Sequence, residues 1–175
     1  SLAWAGSTTV VVGQGGGGES CASCTTSNDS AFVTDTISDY GNANEVTWLA
    51  YKFTTATTKC VTGAYFHCID GGTSTGATME IYTDAGGNPG SIVSAGYTST
   101  VANLPDMQAD VEFAFASTQT LAAGTYWMVW KCASTNVTYY YSSGGTGWKY
   151  SRDSGSSWSS STIHPQAGVN GCDPN

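Results

Sequence analysis

Apolar and polar residues alternate with a period of two in segment after segment of this chain. Leu2, Trp4, Thr8, Val10 and Val12 alternate with Ala3, Ala5, Ser7, Thr9 and Val11. Val111, Phe113 and Phe115 alternate with Asp110, Glu112 and Ala114, while Leu49, Tyr51 and Phe53 share one side of residues 46–54. Successive side chains of a strand point to opposite faces, so this period marks half-buried β-strands. Further strands are expected over 32–37, 60–69, 78–83, 91–98, 125–132, 137–142 and 147–151, with a last one around Ile163. Turn chemistry separates them, as in Asp70-Gly71-Gly72 and Asp84-Ala85-Gly86-Gly87-Asn88-Pro89-Gly90. No stretch carries apolar residues at helical spacing with charges on its outer face. Roughly ten strands with no helices between them imply an all-β fold, an antiparallel β-sandwich or jelly roll.

The first strand stands apart from the rest. The run Gly13-Gln14-Gly15-Gly16-Gly17-Gly18 follows it, with almost no side chains to pack and a high entropic cost of ordering. The expected organisation is an apolar arm over 1–12, a glycine-rich hinge over 13–20 and a sandwich domain over 21–175. In β conformation the arm from Leu2 to Val12 reaches about 36 Å, roughly the length of a sandwich.

Composition narrows the setting. Charged residues make up 10% of the 175-residue chain, and Ser, Thr, Gly and Tyr take their place, which favours strands and turns over helices. Five basic residues against thirteen acidic ones leave a net charge of −8, which repels phosphate backbones and anionic headgroups. Nucleic acid and membrane-surface partners are therefore not expected, and no apolar run approaches the ~18 residues that span a bilayer. The length suits one domain with a sizeable core.

The six cysteines, Cys21, Cys24, Cys60, Cys68, Cys132 and Cys172, are even in number and read as disulfides of an exported protein. The first residue is Ser1 and not Met, as after removal of a leader, and the sequons at Asn28 and Asn136 fit export with glycosylation. An extracellular or cell-surface location is expected. Cys60 and Cys68 on one strand would lie roughly 26 Å apart and cannot bond each other. Cys68 with Cys132 is the favoured pair, with Cys172 fastening the C-terminal tail, but the sequence does not choose among the many pairings. Cys21-Ala22-Ser23-Cys24 lacks the βαβ setting of a redox motif and the further ligands of a zinc site.

Three strings carry a resemblance: Trp48-Leu49-Ala50-Tyr51-Lys52-Phe53-Thr54, Ile81-Tyr82-Thr83-Asp84-Ala85-Gly86-Gly87-Asn88-Pro89-Gly90 and Leu121-Ala122-Ala123-Gly124-Thr125-Tyr126-Trp127. Together they resemble secreted β-sandwich modules of bacterial surface proteins, over most of residues 30–165. That resemblance implies the fold, with roles as anchors, adhesins or structural repeats. The apolar arm on its glycine hinge is similar, in architecture and not in a shared motif, to subunits of extracellular fibres assembled by donor-strand exchange. A third likeness is local. Ser151-Arg152-Asp153-Ser154-Gly155-Ser156-Ser157-Trp158 resembles the Asp-box of sialidases and other propellers, where it forms a hairpin turn away from the active site. One copy in a chain too short for such a propeller implies a structural turn.

Groups suited to catalysis are few. His67 and His164 are far apart, and His67 sits between Phe66 and Cys68 in an apolar strand, where a structural role is expected. Glu80 and Glu112 are the carboxylates that a glycosidase pair would need, but solvated outward-facing groups account for them equally. No enzyme is expected. Oxygen-rich turns at Asp70 and around Asp84 and Asn88 offer possible calcium ligands, although ordinary turn chemistry explains them; no other cofactor is expected. Tyr139, Tyr140, Tyr141, Trp148, Tyr150 and Trp158 form an aromatic cluster, of which Tyr140, Trp148 and Trp158 are the candidates for stacking on sugar rings. The leading expectation is a structural subunit of an extracellular filament or surface appendage. Its donor strand, through Leu2, Trp4, Thr8, Val10 and Val12, would add to a neighbouring copy in a homopolymer. The alternative is a secreted carbohydrate-binding or adhesive sandwich module with glycan partners.

Overall fold

The computed structural model describes residues 21, 24, 30–35, 48–70, 76–105, 107, 109–132, 137–139 and 141–174. Strands dominate them: β1 (Ser30–Asp35), β2 (Trp48–Thr55), β3 (Lys59–Asp70), β4 (Ala77–Asp84), β5 (Pro89–Ile92), β6 (Thr98–Val101), β7 (Ala109–Leu121), β8 (Gly124–Cys132), β9 (Val137–Tyr139), β10 (Tyr141–Ser151), β11 (Ser159–Pro165) and β12 (Ala167–Cys172). Every described pairing is antiparallel. A five-stranded sheet has the order β1-β12-β3-β7, with β9 also on β3; a seven-stranded sheet has the order β11-β10-β2-β8-β4-β5, with β6 also on β4. The two pack face to face as an antiparallel β-sandwich.

The alternation read from the sequence decides which side chains fill the space between the sheets. From the five-stranded sheet come Val61, Ala64, Phe66, Cys68, Val111, Phe113, Phe115, Ala167 and Val169. Leu49, Phe53, Met79, Ile81, Met128, Trp130 and Trp148 face them from the seven-stranded sheet. At the centre Phe66 stacks on Trp130, ring centroids 4.4 Å apart and planes 10° from parallel. Trp148 closes edge-on to Phe66 at 6.5 Å and lies 4.9 Å from Tyr51. Ring pairs of this kind add about 0.5–1.5 kcal/mol each beyond the area they bury.

Three elements differ from the sequence expectation. The segment 91–98 is not one strand: β5 ends at Ile92, a 3₁₀ turn runs from Ala95 to Tyr97, and β6 begins at Thr98. The turn drives Tyr97 into the core, where its hydroxyl donates to the Thr120 carbonyl at 2.6 Å and its ring meets Phe115 edge-on at 5.8 Å. Between Tyr139 and Tyr141 the chain passes from one sheet to the other, since Tyr139 pairs with Cys68 and Tyr141 with Pro165. The third is β12, whose small residues Ala167, Gly168, Val169 and Gly171 gave no strand signal. It is nevertheless buried between β1 and β3.

The arm residues Leu2, Trp4, Thr8, Val10 and Val12, the hinge over 13–20, Asn28, Asn136 and Tyr140 lie outside the described residues.

Candidate functional site

Two places in the fold concentrate chemistry. The first is the point where the chain following the glycine run joins the sandwich. Cys21 is bonded to Cys60 at the start of β3, and Cys24 to Cys172 at the end of β12. The Cα atoms of the bonded residues are 5.4 Å and 5.9 Å apart. The Cys24 N–H donates to the Cys21 carbonyl at 3.1 Å, so the two cysteines form a tight turn. That turn sits on one row of the five-stranded sheet, because Cys172 pairs with Cys60 and Cys60 pairs with Thr120 of β7. Thr120 Oγ1 lies 3.3 Å from Cys21 Sγ, and the Thr118 hydroxyl donates to the Cys24 carbonyl at 3.5 Å. An ion pair between Lys59 and Asp173 closes the same corner. The segment is thereby tied to β3, β7 and β12 at once. Cys172 fastens the C-terminal tail, as the sequence suggested, and its partner is Cys24. Cys68 and Cys132 lie buried in the core between the sheets.

The second place is the outer face of the seven-stranded sheet. Three rows cross it: Trp48, Lys131 and Thr78; Ala50, Val129 and Glu80; Lys52, Trp127 and Tyr82. Ala50, Val129 and Trp127 are buried, with Trp48, Tyr82 and Trp158 packed against them. Lys131 crosses this cluster, its ammonium 4.2 Å from the centre of the Trp48 ring and 5.2 Å from that of Tyr82, and pairs with Glu80. Burial pulls the Lys131 pKa down, but hydrogen bonds to Glu80 and Tyr82 outweigh it and leave the pKa raised. Burial also raises the Tyr82 pKa. The indole N–H of Trp127 donates to Asp84 at 2.7 Å, the Gly87 N–H donates to the same carboxylate at 3.1 Å, and Lys52 stands 3.7 Å away. These donors, the indole first, lower the Asp84 pKa. The carboxylate considered for calcium is thus engaged by protein donors, and no group of three or more His, Cys, Asp or Glu among the described residues is placed to hold a metal. At the end of the face a shallow groove of about 410 Å³ runs between Trp48, Thr78, Thr100, Val101 and Lys131, and reaches Cys132.

The remaining candidates fall elsewhere. Ser151 to Trp158 is the hairpin between β10 and β11. The Ser157 hydroxyl and N–H donate to Asp153 at 2.5 Å and 2.9 Å, and the Ser151 hydroxyl donates at 2.7 Å. Led by the Ser157 hydroxyl, these bonds hold the Asp153 pKa at about 2. Ser154 and Gly155 turn the chain at φ of 56° and 87°, and a Cβ on Gly155 would stand 2.5 Å from the Trp48 ring. Of the sugar-stacking candidates, Trp148 is 2% exposed and belongs to the core, because its strand turns that position inward. Trp158 is half-buried, 6.4 Å from Trp48. His67 Nδ1 lies 2.6 Å from Asp110, which also accepts from Gln166 at 3.2 Å, and Asn170 donates to Glu112 at 2.7 Å. These contacts tie β3, β7 and β12 across the outer face of the five-stranded sheet. Glu80 and Glu112 sit on opposite outer faces of the sandwich, so they do not make a glycosidase pair.

Sequence reasoning missed Trp48, Lys131 and the Asp84–Trp127 bond. The signal was present in the alternation of β2, β4 and β8, whose outward positions hold Trp48, Lys52, Glu80, Tyr82, Asp84, Trp127 and Lys131, but it needed the strand register to bring them together. Compared with known proteins, the chain matches no family model, no curated protein and no solved structure.

Proposed function

We propose that the chain is a structural subunit of an extracellular filament, in which residues 2–12 of one copy add as a strand to a sheet edge of the next. The observation that carries this reading is the pair of cystines at the root of the arm. A segment that merely covered its own domain would need no such fastening, whereas an arm held by a neighbour transmits every displacement of that neighbour to its root. Here the root is bonded to two adjacent strands of one sheet within three residues of itself. A suitable receiver also exists. β7 has β3 on one side and no strand on the other among the described residues, and its sequence contains neither Pro nor Lys to discourage pairing. Its 13 residues are long enough to pair along the whole of residues 2–12. Strand addition satisfies the backbone groups of both strands, and the head-to-tail contact it makes propagates unless it closes into a ring. Catalysis plays no part in this reading.

The test is negative-stain electron microscopy of the exported protein, beside size-exclusion chromatography of a form lacking residues 1–18. Fibres from the full chain, a monomer from the shortened one, and binding of a synthetic peptide of residues 1–12 to that monomer are the expected results. A full-length chain that stays monomeric at high concentration overturns the proposal.

A second reading rests on the groove beside Trp48, where an indole, a lysine and two threonine hydroxyls would suit a sugar. A glycan array read with the wild type and with Trp48→Ala checks it.

A further inference from the structure

We infer that Cys68 and Cys132 close into a third cystine, one that joins the two sheets through the core. The inference needs only an oxidising setting and does not depend on the filament reading.

The geometry is set by the aromatic stack. Phe66 and Trp130 lie face to face across the sandwich, centroids 4.4 Å apart. Cys68 is two residues beyond Phe66 on β3, and Cys132 two residues beyond Trp130 on β8, so each repeats the inward direction of its aromatic neighbour. Both belong to the same core, at 0% and 5% exposure. The two strands also run toward the same end of the sandwich. β3 finishes at Asp70, which pairs with Val137, and Val137 follows Cys132 by five residues in the chain. Stepping from the stack toward that end therefore places both residues on the inner faces of their sheets at the same end of the core.

Spacing is the remaining requirement. Packed sheets stand about 10 Å apart, whereas a cystine wants its Cα atoms about 4.4–6.8 Å apart. At this end Cys132 closes a strand of the seven-stranded sheet and Val137, five residues on, already pairs in the five-stranded sheet, so the chain links the two sheets directly beside the pair. Sandwich cores accept a cystine between sheets beside a buried tryptophan, and Trp130 occupies that place here. The two cystines described above both attach to the five-stranded sheet, so neither holds the sheets together.

An approach for the oxidant is present. Cys132 lines the groove beside Trp48 and Thr100, and its thiol is directed at the Gly76 carbonyl 3.9 Å away, at the rim of that groove. An external disulfide, small or carried by an oxidoreductase, supplies the oxidising equivalent. The Cys132 thiolate attacks one of its sulfurs, the S–S bond breaks, and the first external thiolate leaves. The Cys68 thiolate then attacks Cys132 in the mixed disulfide and expels the second. Two protein thiols have lost two protons and two electrons, and the external disulfide has become two thiols.

The full chain, exported through an oxidising compartment, is unfolded in iodoacetamide without reductant and digested with chymotrypsin. Cleavage after Phe66 separates Cys68 from Cys60, so mass spectrometry reads each partner directly. The expected result is one cross-linked peptide pair holding Cys68 and Cys132, with neither residue alkylated, while the same chain made in a reducing cytoplasm yields both alkylated. Alkylated Cys68 and Cys132 in the exported protein would overturn the inference, as would either residue linked to Cys21, Cys24, Cys60 or Cys172. No variant has to fold for the result to be read.

Discussion

The two sheets of this sandwich are held in different ways. The five-stranded sheet joins two phenylalanine-bearing strands to a strand of small residues, β12, and is secured at one corner by covalent bonds, with Cys60 and Cys172 side by side in its ladder. Its outer face is a lattice of hydrogen bonds among His67, Asp110, Gln166, Glu112 and Asn170. The seven-stranded sheet shows no cystine among the described residues and relies on large rings on both faces: Trp130 and Trp148 within, Trp48 and Trp127 without. Phe66, Phe113 and Phe115 fill its inner face, but β12, of Ala, Gly and Val, offers little area to bury, and bonds that limit the unfolded chain make up the shortfall there. A sheet of tryptophans has no such need.

The largest test of that contrast is Trp130→Ala. It removes the ring stacked on Phe66 from a fully buried position and should cost about 3–5 kcal/mol in urea denaturation. Next, replacing Cys24 and Cys172 together by Ser opens a bond between residues 148 apart in the chain and should cost about 2–5 kcal/mol. The two changes should also differ in kind. Reductant should lower the denaturation midpoint of Trp130→Ala further and leave that of a chain lacking all its cystines unmoved. If reduction leaves the wild type unaffected, the contrast between the sheets fails.

Smaller effects sharpen it. Gly155→Ala places a Cβ against the Trp48 ring at a φ of 87°, and should cost about 1–3 kcal/mol by thermal denaturation. Tyr97→Phe removes the bond to the Thr120 carbonyl and should cost about 1 kcal/mol. Burial first, and then the neighbouring Tyr126, push the Tyr97 pKa up to about 12 from 10.0. A raised pKa contributes stability that is complete below pH 10.0 and disappears as the pH climbs toward about 12, so that part of the alkaline decline should be missing from Tyr97→Phe. Asp153→Asn should have the smallest effect. The lowered pKa of Asp153 contributes above pH 3.8 and is lost on descent toward about 2, so the variant should show a weaker acid dependence in that window.

The strands with clean alternation were legible from the sequence alone. β7 declares itself through Val111, Phe113 and Phe115, because one of its faces is wet and the other dry, and β2 through Leu49, Tyr51 and Phe53, although its outer face is also covered at Ala50. β12 was hidden because glycine and alanine carry no pattern; its burial comes from neighbours on both sides and not from its own side chains. The hairpin at Asp153 was legible because its bonds are local, spanning Ser151 to Ser157. The row of Trp48, Lys131 and Thr78 was not, since its members come from three strands whose register no local pattern encodes. The same holds for the partners of Cys21 and Cys24, which depend on where β3 and β12 meet. Position alone also misjudged Trp148, which shares a segment with surface residues yet turns inward.

The bond between Cys24 and Cys172 also changes what a protease can do to this molecule. It makes the backbone from residue 24 to residue 172 a closed loop, with nearly the whole sandwich inside it. A single nick in an exposed turn, at Gly86 or in the stretch from Arg152 to Ser157, leaves two fragments still joined end to end and still hydrogen-bonded into both sheets. Only a second cut can release a piece. Damage that would dismember an open chain would pass here as a change of mass by one water, visible on a gel only after reduction.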